Sequence, residues 1–449
     1  MQMAVGTAQT NVDHRPLFWA LLAALEQRNL HTQVFYSRSH FVCSNGAIVV
    51  TGQDYRHLDS WLMSRELCRQ LFAFGSRACD AAIVEGQFAP PPNGPYVDES
   101  LEANCGGDLG QLCEWLELPK LAIVDVTRLH SCCLPPIPSD AAAVLLDNVA
   151  DEDEARRQTA TIQALTGKPV LGWLPQLSVA RDAVAKLNVG QRPDAELCRY
   201  LGEQLASRWK PCDLRRITLQ PRRAVEATPM AANRQRPLCV AVAFDDAFQC
   251  YFQDSFDMLE AMGATLRDFS PLRGDVLPCE ADIVYFGCGP VARHAYRLAR
   301  NCCMREAIRR YVQQGGRIYA ECGGLAYLGK QLQLPSGGHY PMAGILPISV
   351  KLAETWRDFE PTEMTLRETC WIGRRGQKLR GYLNPNWQVT PLGPVRRLAS
   401  LPNSAHPLVG YQNVIGSQVH INFAAHADLL RRFFLPPRNE LLVDSLPWS

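Results

Sequence analysis

At 449 residues the chain exceeds what one hydrophobic core accommodates, so at least two domains are expected. Its 46 basic and 45 acidic residues leave a formal charge of +1, which offers no electrostatic basis for binding nucleic acid. No apolar run approaches the roughly 20 residues needed to cross a bilayer. No basic segment followed by an apolar one opens the chain, so no membrane association and a cytoplasmic location are expected.

In chain order, Met3-Ala4-Val5 is a short apolar run, residues 17–25 have a helical pattern, and residues 32–36 read as the next strand. Ala81-Ala82-Ile83-Val84 ends at Glu85-Gly86, Leu121-Ala122-Ile123-Val124 ends at Asp125, and residues 142–146 end at Asp147-Asn148. Val170-Leu171-Gly172 leads into Trp173-Leu174-Pro175. Apolar runs that end in polar residues, separated by helix-length stretches, predict an open α/β sheet of parallel strands with ligands at their carboxyl ends. Periodicity is lost over residues 210–236, a basic stretch rich in Pro and Gln that reads as a solvated linker. The expected organisation is a domain at 1–209, a linker at 210–236 and a second α/β domain at 237–449. The 17 cysteines include no C-x-x-C pair and no cluster at zinc-ligand spacing, so reduced thiols are expected.

The stretch richest in chemistry is Ile318-Tyr319-Ala320-Glu321-Cys322-Gly323-Gly324-Leu325-Ala326-Tyr327-Leu328. An apolar run ends in a cysteine, two glycines follow and an apolar helical pattern begins. That is the layout of a strand-to-helix turn that lifts a nucleophile above a parallel sheet. The glycines let backbone approach a substrate without a Cβ between them. The helix would aim free N–H groups at a thiolate and an oxyanion. Cys-Gly-Gly alone equally describes a buried structural cysteine at a strand end.

Val240-Ala241-Val242-Ala243 followed by Asp246-Ala247-Phe248, Leu259-Glu260-Ala261-Met262-Gly263-Ala264, Phe269-Ser270-Pro271-Leu272 and the Cys322 turn recur in a telling order. Met342-Ala343-Gly344-Ile345-Leu346-Pro347, Val419-His420-Ile421-Asn422-Phe423 and residues 429–434 extend it. Together they resemble the glutamine amidotransferase domain of the cobyrinate a,c-diamide synthase family. The resemblance implies a class I, flavodoxin-like α/β domain with Cys322 as nucleophile and His420 as base. It also implies an oxyanion hole from Gly323 and from Gly289, the glycine kept in Gly287-Cys288-Gly289-Pro290 where the family has Pro-Gly-Gly-Tyr-Pro-Glu; Pro290 itself has no N–H to give. Other class I amidotransferases carry a Glu two residues after the His. Asn422 stands there, so a more weakly oriented imidazole is expected. Arg380-Gly381-Tyr382 and Leu383-Asn384-Pro385-Asn386-Trp387 do not match the family's His-containing stretch and read as surface drift.

Residues 20–25, Gln33-Val34-Phe35, Val84-Glu85-Gly86, residues 112–125 and Pro169-Val170-Leu171-Gly172 with Leu174-Pro175 are similar to the same family's dethiobiotin-synthetase-like, P-loop ATP-binding domain. That resemblance implies ATP and Mg²⁺, held by a Gly-rich loop between the first strand and first helix. Here the loop reads Gly6-Thr7-Ala8-Gln9-Thr10-Asn11-Val12-Asp13-His14-Arg15-Pro16. His14 takes the lysine's place, and Arg15 and Pro16 those of the hydroxyl residues. Thr10, His14 and Arg15 are the candidate nucleotide contacts, and Glu85 matches the acidic residue near the metal. Asp147 stands where the family has an adenine-facing Asn. Without the lysine and the hydroxyl, and with Asp13 adding negative charge, ordinary ATP turnover is not expected of this loop. A proline-rich loop, Gln87-Phe88-Ala89-Pro90-Pro91-Pro92-Asn93-Gly94, is a further departure.

The resemblance implies partners: glutamine as ammonia donor and a tetrapyrrole dicarboxylate, whose a and c carboxylates are activated as acyl phosphates and amidated in the N-terminal half. The alternative is a non-synthetase descendant, a glutaminase remnant or a regulatory or scaffold binding protein. A homodimer stays open.

Overall fold

The computed structural model describes residues 1–41, 46–89, 106–129, 135–187, 191–209, 237–401, 404 and 406–435. Two units divide the chain, Met1–Thr228 and Pro229–Ser449. The expected linker, residues 90–94 of the proline-rich loop, Cys132 and Cys133 lie outside the described residues.

In the first unit, β1 (Gln2–Thr7), β2 (Thr32–Tyr36), β3 (Arg56–His57), β4 (Ala81–Gln87), β5 (Lys120–Asp125), β6 (Ala141–Val149) and β7 (Val170–Pro175) form one sheet. Its order is β3-β2-β4-β1-β5-β6-β7, and every described pairing is parallel. The apolar runs read from the sequence are these strands, buried on both faces as parallel strands require. Helix α1 (Arg15–Glu26) follows the β1 loop, and its residues 16–25 are all buried, the mark of a helix covered all round. It lies so close to the helix Ala195–Ala206 that a Cβ on Gly202 would fall 2.5 Å from that of Ala23. At the sheet centre, β1 pairs Gly6 with Gly86 on one side and Ala122 on the other. The loop after β1 therefore leaves at the carboxyl ends of β4, β1 and β5, where α/β sheets bind ligands.

In the second unit, β8 (Leu238–Ala243), β9 (Ala264–Phe269), β10 (Ile283–Phe286), β11 (Arg317–Glu321) and the strand Val414–Ser417 are mutually parallel, in the order β9-β8-β10-β11-Val414–Ser417. That is the flavodoxin-like order. Leu408–Tyr411 and Arg396–Arg397 add antiparallel strands at the far edge. Two four-stranded sheets complete the unit, and one sets Val419–His420 against Lys378–Leu383, with His420 opposite Tyr382. The stretch read as surface drift is therefore a structural strand and turn, with Asn384 and Asn386 each 1% exposed. No helix among the described residues is long and apolar enough to cross a membrane.

Candidate active site

The second unit's site begins where β11 ends. Cys322 has φ 46° and ψ −99°, a conformation that costs a non-glycine residue about 1–3 kcal/mol. Two hydrogen bonds hold it: its N–H donates to the Ser417 carbonyl at 2.8 Å, and its carbonyl accepts from Ala326 N–H at 2.9 Å. The glycines are needed for closeness. A Cβ on Gly324 would fall 2.4 Å from the Phe286 carbonyl oxygen, and one on Gly323 2.8 Å from the Val291 side chain. The helix that follows, Gly323–Leu328, has six residues, so its dipole is small and the local N–H groups matter more.

The turn brings Cys322 Sγ to 3.3 Å from His420 Nε2 and 3.5 Å from the Gln418 carbonyl. Both side chains are fully buried, and the Phe359 ring meets the imidazole edge-on with centroids 5.2 Å apart. Behind His420 stands Glu321, its Oε2 3.7 Å from Nδ1. The separation is too long for a hydrogen bond but short enough for strong attraction in a dry site. Glu321 Oε1 accepts from Tyr319 OH at 2.8 Å and from Ile421 N–H at 3.2 Å. A weakly oriented imidazole was the expectation from Asn422. A carboxylate nonetheless stands behind the ring, from the residue before the nucleophile, while Asn422 Oδ1 caps the turn Phe423–Ala425 by accepting from Ala424 N–H at 3.1 Å. Burial works against protonated His420, but Cys288 and Glu321 outweigh it and raise the imidazole to about 9. Burial pushes the Glu321 carboxyl up despite its partners.

Two further groups reach the sulfur. Cys288, in the loop after β10, lies among the same donors, and the neighbouring Cys322 thiol and His420 hold it well below the usual thiol range against the effect of burial. Burial, followed by the Cys288 charge, pushes Cys322 up. The two thiols thus share their protons as one coupled pair. Asn384 Oδ1 accepts from Asn386 N–H at 3.1 Å and Asn386 Nδ2 at 3.0 Å, which turns its amide donor toward Cys322. Gly289 lies beside Gly323, and its carbonyl accepts from Val291 N–H at 2.9 Å. Among the expected residues, the structure gathers Cys322, His420, Gly323 and Gly289. Sequence reading missed Glu321, Cys288 and Asn384. Gly-Cys-Gly at the end of β10 repeats the punctuation around Cys322 and was the available signal for Cys288.

The CobB/CobQ-like glutamine amidotransferase domain family matches residues 239–428. The chain is 27% identical over 472 residues to the cobyrinate a,c-diamide synthase of Syntrophotalea carbinolica, covering 96% of this chain and 97% of that one. It is also 27% identical over 459 residues to that of Listeria monocytogenes, covering 96% of each. Over nearly its whole length the chain is thus similar to cobyrinate a,c-diamide synthases. Among solved structures, a glutamine amidotransferase aligns with 44% of this chain and 99% of its own length, at a TM-score of 0.34 and 19% identity.

Against the phosphate loop that the resemblance implies, the β1 loop is altered in more than sequence. His14 Nε2 pairs with Glu85 Oε1, joining the lysine position to the expected metal carboxylate. Burial opposes a charged His14, but Glu85 prevails and raises its pKa. Arg15 Nε and Nη2 donate to the two Asp13 oxygens at 2.7 and 2.6 Å. Gln9 is buried and fastened to β5, donating to the Asp125 carbonyl at 3.0 Å and accepting from Asp125 N–H at 2.7 Å. Thr10 sits at the turn just before Asn11, whose φ is 56°. These residues do not fit Mg²⁺-ATP in the manner of a Gly-rich phosphate loop: His14 is committed to the expected metal ligand Glu85, and Arg15 to Asp13.

Asp147, at the end of β6, is fully buried and paired with Arg181 Nη2 at 2.5 Å. Burial dominates and lifts its carboxyl to about 6 despite Arg181. A carboxyl raised on folding makes the native state bind more protons than the unfolded chain between about pH 4 and 6. This group's contribution to stability is therefore present at low pH and lost as pH rises through that window. Asp147→Asn should flatten that segment of a plot of unfolding midpoint against pH. An unchanged slope would assign the dependence elsewhere.

Proposed function

We propose that this chain releases ammonia from glutamine at Cys322 and His420, and that the ammonia amidates the a and c carboxylates of a cobyrinate-type tetrapyrrole in cobalamin synthesis. The observation that carries the reading is the Cys322 sulfur on a strained turn, 3.3 Å from His420 Nε2 with Glu321 behind the ring. In this reading residues 1–209 form the synthetase-like domain, 210–236 the linker and 237–449 the amidotransferase domain.

Cys322 passes its proton to the Cys288–His420 pair, and the thiolate, beside protonated His420, attacks the glutamine carboxamide carbon. The tetrahedral oxyanion forms beside Gly323 N–H and the Asn384 amide. His420 then protonates the departing nitrogen, and ammonia leaves. Water, deprotonated by His420, attacks the thioester, glutamate is released, and the thiol is restored. Glu321 stabilises the imidazolium through its charge. Glu321→Gln keeps the shape and removes the charge. It should lower kcat for glutamine hydrolysis about 10- to 100-fold with little change in KM, because the carboxylate acts through His420 and not on substrate. An unchanged kcat would leave Glu321 a purely structural role.

The His14–Glu85 and Arg15–Asp13 pairs favour a second reading, a non-synthetase descendant that keeps the glutaminase or only a binding role. Calorimetry with ATP and Mg²⁺ separates the two. Micromolar binding supports amide synthesis, and no binding at millimolar ATP removes that step. Labelling of Cys322 by a glutamine-like electrophile distinguishes a glutaminase from a binding protein.

A further inference from the structure

Sequence spacing offered no metal cluster, yet folding brings three side chains able to ligate a metal together. Cys288, Cys322 and His420 come from three separate segments, and their Sγ, Sγ and Nε2 or Nδ1 atoms lie within 4.8 Å of one another, all buried. Tetrahedral zinc with its usual bond lengths sets such donors ~3.5–3.8 Å apart. The 3.3 Å between Cys322 Sγ and His420 Nε2 is already near that spacing, so small side-chain movements suffice. The surroundings are also those of a metal site. A metal-bound imidazole commonly has a carboxylate facing its other nitrogen. Here Glu321 faces Nδ1 at 3.7 Å and is itself fixed by Tyr319 OH and Ile421 N–H.

We propose that Cys288, Cys322 and His420 form a binding site for a soft divalent cation of the zinc class, with Nε2 of His420 as its nitrogen ligand and a water in the fourth position. Two thiolates and one divalent cation sum to zero charge, which suits a site closed to water. Binding releases both thiol protons to solvent and consumes no oxidant or reductant. Soft thiolates select such a cation over Mg²⁺ or Ca²⁺. A bound cation occupies both the Cys322 sulfur and the His420 nitrogen, so it and glutamine hydrolysis exclude each other. Binding stands apart from the proposed function; the inhibition rests on it.

The test is titration of the reduced, chelator-stripped full chain with Co²⁺, a spectroscopic substitute for Zn²⁺. One equivalent should give thiolate-to-cobalt charge transfer and the visible bands of a tetrahedral site, both abolished by Zn²⁺. Cys288→Ser and His420→Gln should each weaken binding at least tenfold, and Glu321→Gln by about 10- to 100-fold. Cys198→Ser, in the first unit, should not change it. In the wild type, Zn²⁺ should protect Cys288 and Cys322 together from alkylation, a readout that needs no variant. No saturable band, a band unchanged in both ligand variants, or alkylation of the pair unaffected by Zn²⁺ overturns the proposal. Co²⁺ binding without any glutaminase activity would refute the catalytic reading alone, and a glutaminase that binds no Co²⁺ would refute the metal site alone.

Discussion

Cys322→Ala should reduce glutamine hydrolysis by at least about 10³-fold while leaving the melting transition nearly in place. The sulfur forms and releases the thioester, and no other group in the proposed sequence forms that bond. Cys288, though close, lies in a different loop and not on the strained turn that presents Cys322, so it does not substitute. Alanine keeps the Cβ and the same backbone strain at φ 46°, so the fold loses only the buried sulfur's contacts. His420→Ala should fall to a similar level, and the double variant little further, because the two act as a unit. Ammonia or glutamate release measures all three. Activity within tenfold of wild type in Cys322→Ala would dismiss it as the nucleophile.

Gly324→Ala is expected to destabilise the second unit by ~3 kcal/mol, at the upper end for overpacking. Its new Cβ would lie 2.4 Å from the Phe286 carbonyl oxygen and 2.9 Å from that of Gly287. Both obstacles are backbone at the end of β10, which pairs with β11 through Phe286 and Ala320, so relief requires shifting the central strands. Gly393→Ala is the comparison. Its Cβ would meet only a Pro347 Cβ, at 3.4 Å, and should cost under ~1 kcal/mol. Denaturant midpoints decide the matter, and equal losses in the two variants would show that the close approach is not the constraint.

Much of this was legible before the fold. The sheet strands were visible as apolar runs ending at Glu85, Asp125 and Asp147, because strands buried on both faces leave little choice of residue. The sharp turn at Cys322 was legible because two glycines follow a cysteine where an apolar strand ends and a helical pattern begins. Glu321 was not, because it closes an apolar strand and its partner lies 99 positions on in the chain. A buried carboxylate within such a run carries no local signature. Asn384 and Cys288 were hidden for a related reason: an amide in a turn and a thiol after a strand pass for ordinary loop and core residues until three segments meet. The loop after β1 departs in composition from a Gly-rich phosphate loop, but composition does not reveal that its charges pair within the fold.

That pairing gives the loop a structural role. A phosphate cradle stays electrostatically unfinished until its ligand arrives, and its affinity depends on that deficit. Here His14 and Glu85 complete one another, Arg15 is matched by Asp13, and Gln9 is laced to the end of β5. The segment behaves as a clasp between the central strand and its two neighbours, and disturbing it would register in the integrity of the sheet before it registered in any ligand.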